Sequence, residues 1–181
     1  VMRRMLRVPA DAYKVVTKAR KPSDVHRVLA LAKARSKRRL IVLAMGEIGF
    51  PSRVLSPLFG GLFTYAAPSA CQGTAAGQVG AKVLRHLYRL EKLSRSSKVY
   101  GVIADPVGHS LSPAVHNRAF QSRRVDAVYL PFLVPPPHLK DFMALAAQLP
   151  VAGFSVTIPH KQRIIRYLDA VDSLARRIGA V

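Results

Sequence analysis

The sequence predicts an α/β fold in which parallel strands alternate with crossover helices. Three observations carry this. Short apolar runs of strand length, LIVLAM at 40–45 above all, alternate with segments of helical periodicity. Half of the 181 residues are hydrophobic and about a fifth are charged, which is enough apolar material for a buried core. A lone cysteine, Cys71, excludes a disulfide framework and a Cys-based zinc site, and suits a reducing compartment.

The elements follow in order. AYKVVT at 12–17 reads as a short strand, followed by a helix from Ser23 or Asp24 to about Arg35. That helix has Ser23 as its N-cap candidate, and Val25, Val28, Leu29 and Ala32 at helical spacing. LIVLAM is bounded by a basic cluster and a glycine, as expected of a strand buried on both faces. A short helix at 51–58 and a strand at 62–66 (LFTYA) come next, and then a longer helix from Gly77 to Leu93. Its stripe is Val79, Val83, Leu87 and Leu90. The polar SRSSK at 94–98 reads as a linker. A second series begins with a strand at 99–104, a helix from Pro113 to Ser122 and a strand at 127–134. A helix from His138 to Gln148, a strand at 153–158 and helices near 160–168 and 172–178 complete it.

The formal net charge is +20, from 29 Lys plus Arg against 9 Asp plus Glu. Thirteen of the basic residues fall in residues 1–40, and the densest run is Lys33-Ala34-Arg35-Ser36-Lys37-Arg38-Arg39. Such a run grips phosphate backbones at low salt, and it also suits the solvated C-terminal end of a helix. Without a helix-turn-helix, zinc-finger or aromatic RNA-binding signature it implies an anion-friendly surface. No apolar stretch approaches membrane-spanning length, and the basic N-terminus lacks the apolar core of a signal peptide.

The residues with chemical content form two groups. In the first, Lys14 lies mid-strand. On an inward face it would be desolvated, and its amine would then be a nucleophile for carbonyls; on an outward face it is an ordinary surface lysine. Arg53 opens a helix after the glycine-rich MGEIGFPSR, a placement suited to bidentate carboxylate binding. Gly73-Thr74-Ala75-Ala76-Gly77-Gln78 offers a hydroxyl and an amide ahead of the next helix. In this order, ADAYKVV, MGEIGFPSR and GTAAGQ resemble the C-terminal part of the type I 3-dehydroquinate dehydratases, a (β/α)8-barrel family. That resemblance implies that Lys14 is the Schiff-base lysine and Arg53 the carboxylate-binding arginine. It implies substrate contacts for Thr74, which stands for the family's serine, and for Gln78. Ala76 replaces its usual proline.

In the second group, GVIADPVGHSLSP leads from a strand into a helix, with Ser112 as N-cap candidate and Pro113 in the first turn. Ser110, Ser112 and free N–H groups then converge at a helix start, which favours a carboxylate. GFSVTIPHK places Thr157 and Lys161 at the C-terminal end of a strand, the edge at which open α/β sheets hold ligands. Together these motifs resemble the N-terminal, substrate-binding domain of the shikimate dehydrogenases. The resemblance implies that Ser110 and Ser112 bind the shikimate carboxylate, that Thr157 contacts substrate, and that Lys161 is the catalytic lysine working with NADP(H). Ser155 stands where many bacterial members have asparagine. His109 and His160 belong to the motifs as structural residues.

The two resemblances cover nearly the whole chain and resemble, end to end, the bifunctional dehydratase/dehydrogenases of the shikimate pathway. The expected fold is the C-terminal part of a (β/α)8 barrel at 1–93, a linker at 94–98, and the α/β substrate-binding domain of a shikimate dehydrogenase at 99–181. The chain is expected to be a central segment of such an enzyme. The barrel's acid/base histidine and the nicotinamide-binding domain would lie outside it, so by itself it should turn over little or nothing. No G-x-G-x-x-G occurs. The implied partners are small carboxylates (3-dehydroquinate, 3-dehydroshikimate and shikimate), with no specific nucleic acid, membrane or metal. The implied setting is a bacterial cytoplasm or a plastid stroma. Two other readings remain, a non-catalytic shikimate-binding sensor or scaffold and a basic nucleic-acid-binding module using residues 33–39.

Overall fold

The computed structural model describes residues 2–34, 39–69, 72–75 and 77–181. Cys71, Ala76 and most of the basic run expected to close the first long helix (residues 35–38) lie outside the described residues. The chain divides into two compact units, which part in sequence between Arg95 and Ser96, with residues 21–23 grouped with the second.

In the first unit a short helix, α1 (Met2–Met5), precedes β1 (Tyr13–Lys18), α2 (Ser23–Ala34), β2 (Leu40–Met45) and α3 (Pro51–Leu55). β1 and β2 pair in parallel, Tyr13 opposite Leu40 and Lys14 opposite Ile41. Apolar side chains on both faces drive this: Leu40 through Ala44 are all buried. α2 turns Val25, Val28, Leu29 and Ala32 inward, the four residues its spacing picks out. α3 begins directly after the Gly46–Gly49 turn and passes into a 3-10 turn at Pro57–Phe59.

Two expected elements differ. Residues 62–66 form no strand. A strand needs a ladder, and the backbone partners here are scattered. Leu62 N–H donates to Leu40 O at 2.7 Å, an Arg53 side-chain N–H donates to Tyr65 O at 3.4 Å, and only an isolated bridge joins Ala67 to Gly80. The expected long helix from 77 to 93 is instead a π-helical turn at Val83–Leu87 and a 3-10 turn at Leu90–Lys92. Tyr88 N–H reaches back five residues to Val83 O, and Arg89 then takes a left-handed conformation that ends the run. The wider turn shifts the buried positions to Leu84 and Tyr88, leaving Val83 and Leu87 half-buried. Tyr88 packs against Phe50 with ring centroids 5.5 Å apart.

In the second unit β3 (Lys98–Ala104), α4 (Ser112–Ser122), β4 (Ala127–Leu133), α5 (Leu139–Ala146), β5 (Val151–Val156) and α6 (Ser173–Ile178) build a parallel sheet of order β4-β3-β5. β3 is central and buried from Gly101 to Ala104. α4 is stitched to β4 by Asn117, which is 2 % exposed. Its side-chain amide donates to Pro113 O and Tyr129 O, both at 2.8 Å, and its oxygen accepts Tyr129 N–H at 2.9 Å. The helix expected near 160–168 is a series of turns with one 3-10 turn at Ile165–Tyr167. His160 accounts for that. It is fully buried, and its Nε2 lies 2.7 Å from Val134 O, which holds the chain against the end of β4 where a helix would lift away.

Burial pushes the Tyr88 phenol from 10.0 up to about 12. The unfolded phenol ionises first, so between those values the unfolded state binds fewer protons and stability falls as pH rises. Tyr88→Phe is expected to flatten the loss of stability between about pH 10 and 12, measured by urea unfolding followed by circular dichroism.

Candidate functional site

In the first unit the loop after β2 is built by close approach. Ser52 Oγ donates to Gly49 O at 2.7 Å and accepts Ala44 N–H at 2.8 Å, which pins the start of α3 to the end of β2. A Cβ on Gly49 would lie 2.4 Å from Ala44 O, so only glycine admits this turn. Arg53, the next residue after Ser52, is thereby turned inward and is 2 % exposed. Burial lowers the pKa of its guanidinium, and one of its terminal N–H groups reaches Tyr65 O at 3.4 Å.

Lys14 is exposed, so the desolvation expected of an inward-facing strand lysine is not found among the described residues. Among those residues β1 has one sheet neighbour, β2. The Lys14 ammonium sits 4.2 Å from the centre of the Tyr65 ring. Tyr65 therefore joins the two expected residues, its ring under Lys14 and its carbonyl on Arg53. The sequence held no signal for it, because a cation over an aromatic face comes from tertiary packing.

Thr74 and Gln78 meet each other. Gln78 Oε1 accepts both the Thr74 N–H at 2.8 Å and its hydroxyl at 3.0 Å, closing a small exposed loop. Gly77 (φ +75°) seats this loop on the loop after β2, where a Cβ would lie 2.4 Å from Gly46 O. Thr74 and Gln78 are thus held against the segment that leads into Arg53.

In the second unit the ends of neighbouring strands are tied together. Thr157 N–H donates to Ile103 O at 3.2 Å, and Asp105 N–H donates to Ile158 O at 3.2 Å. Both Asp105–Pro106 and Ile158–Pro159 are cis. These bonds bring the segment carrying Ser110 and Ser112 and the segment carrying Thr157 and Lys161 to one edge of the sheet. Ser112 is not the N-cap. α4 begins at Ser112 itself, with Leu111 in the N-cap position and no side-chain cap, and Ser110 Oγ accepts the Ser112 N–H at 3.3 Å. Ser110, Ser112 and Thr157 are half-buried, and Lys161 is exposed. Residues passed over in sequence line the same unit: Tyr129 donates its hydroxyl to Ser155 Oγ at 2.8 Å, and His116 stacks on the Tyr129 ring. Among the described residues no cluster of His, Cys, Asp and Glu could hold a metal ion, and no helix is long and apolar enough to cross a membrane.

Residues 1–95 match the family described as type I 3-dehydroquinase. The chain belongs to that family. Residues 102–181 match the shikimate dehydrogenase substrate-binding domain. Over 178 residues the chain is 39% identical to the chloroplastic bifunctional 3-dehydroquinate dehydratase/shikimate dehydrogenase of Arabidopsis thaliana, covering 98% of this chain and 29% of that protein. Over 89 residues it is 46% identical to the shikimate dehydrogenase (NADP(+)) of Methanobrevibacter smithii, covering 49% and 32%. The solved shikimate 5-dehydrogenase of Listeria monocytogenes, in complex with shikimate and NAD, is 38% identical, with coverage of 49% and 31% and a TM-score of 0.48. The chain therefore spans about a third of the length of these relatives.

Gly77→Ala is expected to lower the urea midpoint of the first unit by an amount worth about 1–2 kcal/mol, through strain at positive φ and displacement of Gly46. Gly73→Ala, whose Cβ would meet nothing nearer than 3.6 Å, should leave that midpoint unchanged.

Proposed function

We propose that the chain serves two successive reactions of the shikimate pathway: residues 1–93 the dehydration of 3-dehydroquinate, residues 99–181 the reduction of 3-dehydroshikimate, with 94–98 as linker. What supports this reading is how the expected residues are linked within each unit. In the first unit Lys14 and Arg53 share Tyr65. In the second, Ser110, Ser112, Thr157 and Lys161 follow strands whose ends are bonded together.

In the dehydration, the unprotonated Lys14 Nζ attacks the substrate ketone, and loss of water gives an imine. Once protonated, the imine withdraws electrons from the neighbouring carbon, easing proton loss there to a base; that proton leaves with the substrate hydroxyl as water, and hydrolysis of the imine frees the product and Lys14. Arg53 supplies a positive charge taken out of water by burial, which makes its attraction for a carboxylate stronger than a surface arginine's. Thr74 and Gln78, held on the adjoining loop, bind substrate hydroxyls.

In the reduction, Ser110, Ser112 and the N–H groups opening α4 hold the carboxylate, and Thr157 holds a ring hydroxyl. Lys161 Nζ holds the proton that passes to or from the carbinol oxygen. NADP(H) supplies the hydride in this reading. The turn after β3, Asp105-Pro106-Val107-Gly108, has a single glycine and does not fit a dinucleotide phosphate cradle, so no cofactor contact is assigned to these residues. The site is read as that of a soluble protein of a bacterial cytoplasm or plastid stroma, with small carboxylates as its partners.

Borohydride added with 3-dehydroquinate should place a reduced substrate adduct on Lys14, detected by peptide mass, and Lys14→Ala should abolish it. Equal labelling of that variant overturns the Schiff-base assignment. Ser112→Ala should weaken shikimate binding roughly three- to tenfold, the loss of one hydrogen bond to a charged group, as read by calorimetry. An unchanged affinity would remove Ser112 from the carboxylate site.

A further inference from the structure

Tyr129 is 3 % exposed and held from several sides. Asn117 clamps both its backbone N–H and its carbonyl, and the His116 ring lies on it with centroids 4.3 Å apart and planes 11° from parallel. Its phenol crosses the central strand β3, on which Tyr100 stands opposite Tyr129 and Val102 opposite Ser155. The hydroxyl ends 2.8 Å from Ser155 Oγ on β5. A serine that accepts from a phenol keeps its own proton for an outside acceptor, and the first bond polarises the second. Ser155 is exposed and precedes Thr157 by two residues, so the two share one side of the strand's line. That side is the one packed by Phe120 of α4 over Val102, Ala104 and Tyr129.

We propose that Tyr129 is a positioning residue. Acting through Ser155, it aims that hydroxyl as a donor at an oxygen of a polyhydroxylated cyclic carboxylate held by Thr157 and the start of α4. This rests on the substrate reading above. A phenol buried only for packing also needs a hydrogen-bond partner, and Ser155 would serve as one without touching ligand. The two roles predict different couplings.

The experiment is a shikimate titration of the 181-residue chain followed by amide chemical shifts at residues 153–161, for the wild type, Tyr129→Phe, Ser155→Ala and the double variant. Each single substitution is expected to raise Kd about three- to tenfold, and the double variant should bind no more weakly than Ser155→Ala alone. Tyr129→Phe binding as tightly as wild type overturns the inference, as does an equal loss in both backgrounds. Ser155 is exposed, so its substitution by alanine leaves the core intact, and an unaltered affinity there is sufficient to overturn it. A wild-type chain with no saturable shifts overturns the substrate reading and this inference with it. A wild type that binds while its variants are indifferent removes the inference alone.

Discussion

Parallel strands buried on both faces leave polar chemistry only their ends and open edges, and both units are organised by that constraint. β2 is apolar and buried from Leu40 to Ala44, and β3 from Gly101 to Ala104. Neither can carry a charged group along those stretches without an unpaid desolvation cost. The polar residues therefore sit where the backbone leaves the sheet: the Gly46–Gly49 turn into α3, the loop at 73–78, and the turns after β3 and β5. Lys14 lies within a strand, but on an exposed position of β1, which has a single strand neighbour among the described residues.

Buried polar side chains then convert those turns into defined shapes. Ser52 satisfies Ala44 N–H and Gly49 O together, and the turn it closes aims Arg53 inward. Asn117 pairs likewise with the N–H and carbonyl of Tyr129, and His160 Nε2 lies on Val134 O just past the end of β4. Each is a buried polar side chain paired with backbone groups in a strand or beside its end, so each is costly to lose. Ser110, Ser112, Thr157 and Lys161 are more exposed than these supports, whereas Arg53 is as buried as they are.

Local sequence decides an element that needs no particular partner to form. α2 and β2 were legible because the four buried residues of α2 and the continuous apolar run of β2 follow from local periodicity. The 62–66 segment looked equally like a strand, but strand status depends on a neighbour to pair with, which local sequence does not contain. The 77–93 segment has the spacing of a helix, yet one π-turn moves its buried side from Val83 and Leu87 to Leu84 and Tyr88. Serine suits an N-cap, yet α4 starts one residue early, with Leu111 in the cap position, and Ser112 becomes its first helical residue.

The sequence by itself determined the α/β class, the strands at β1 to β5 and the residue types of both groups, because apolar periodicity and motif spacing are properties of the chain. The tertiary structure decided which side chains meet. Tyr65 lying under Lys14 while bonding Arg53, and Tyr129 reaching Ser155 across β3, join residues 12 to 51 positions apart. Such contacts arise from strand register and from loops closing over one another, and those depend on every intervening residue at once.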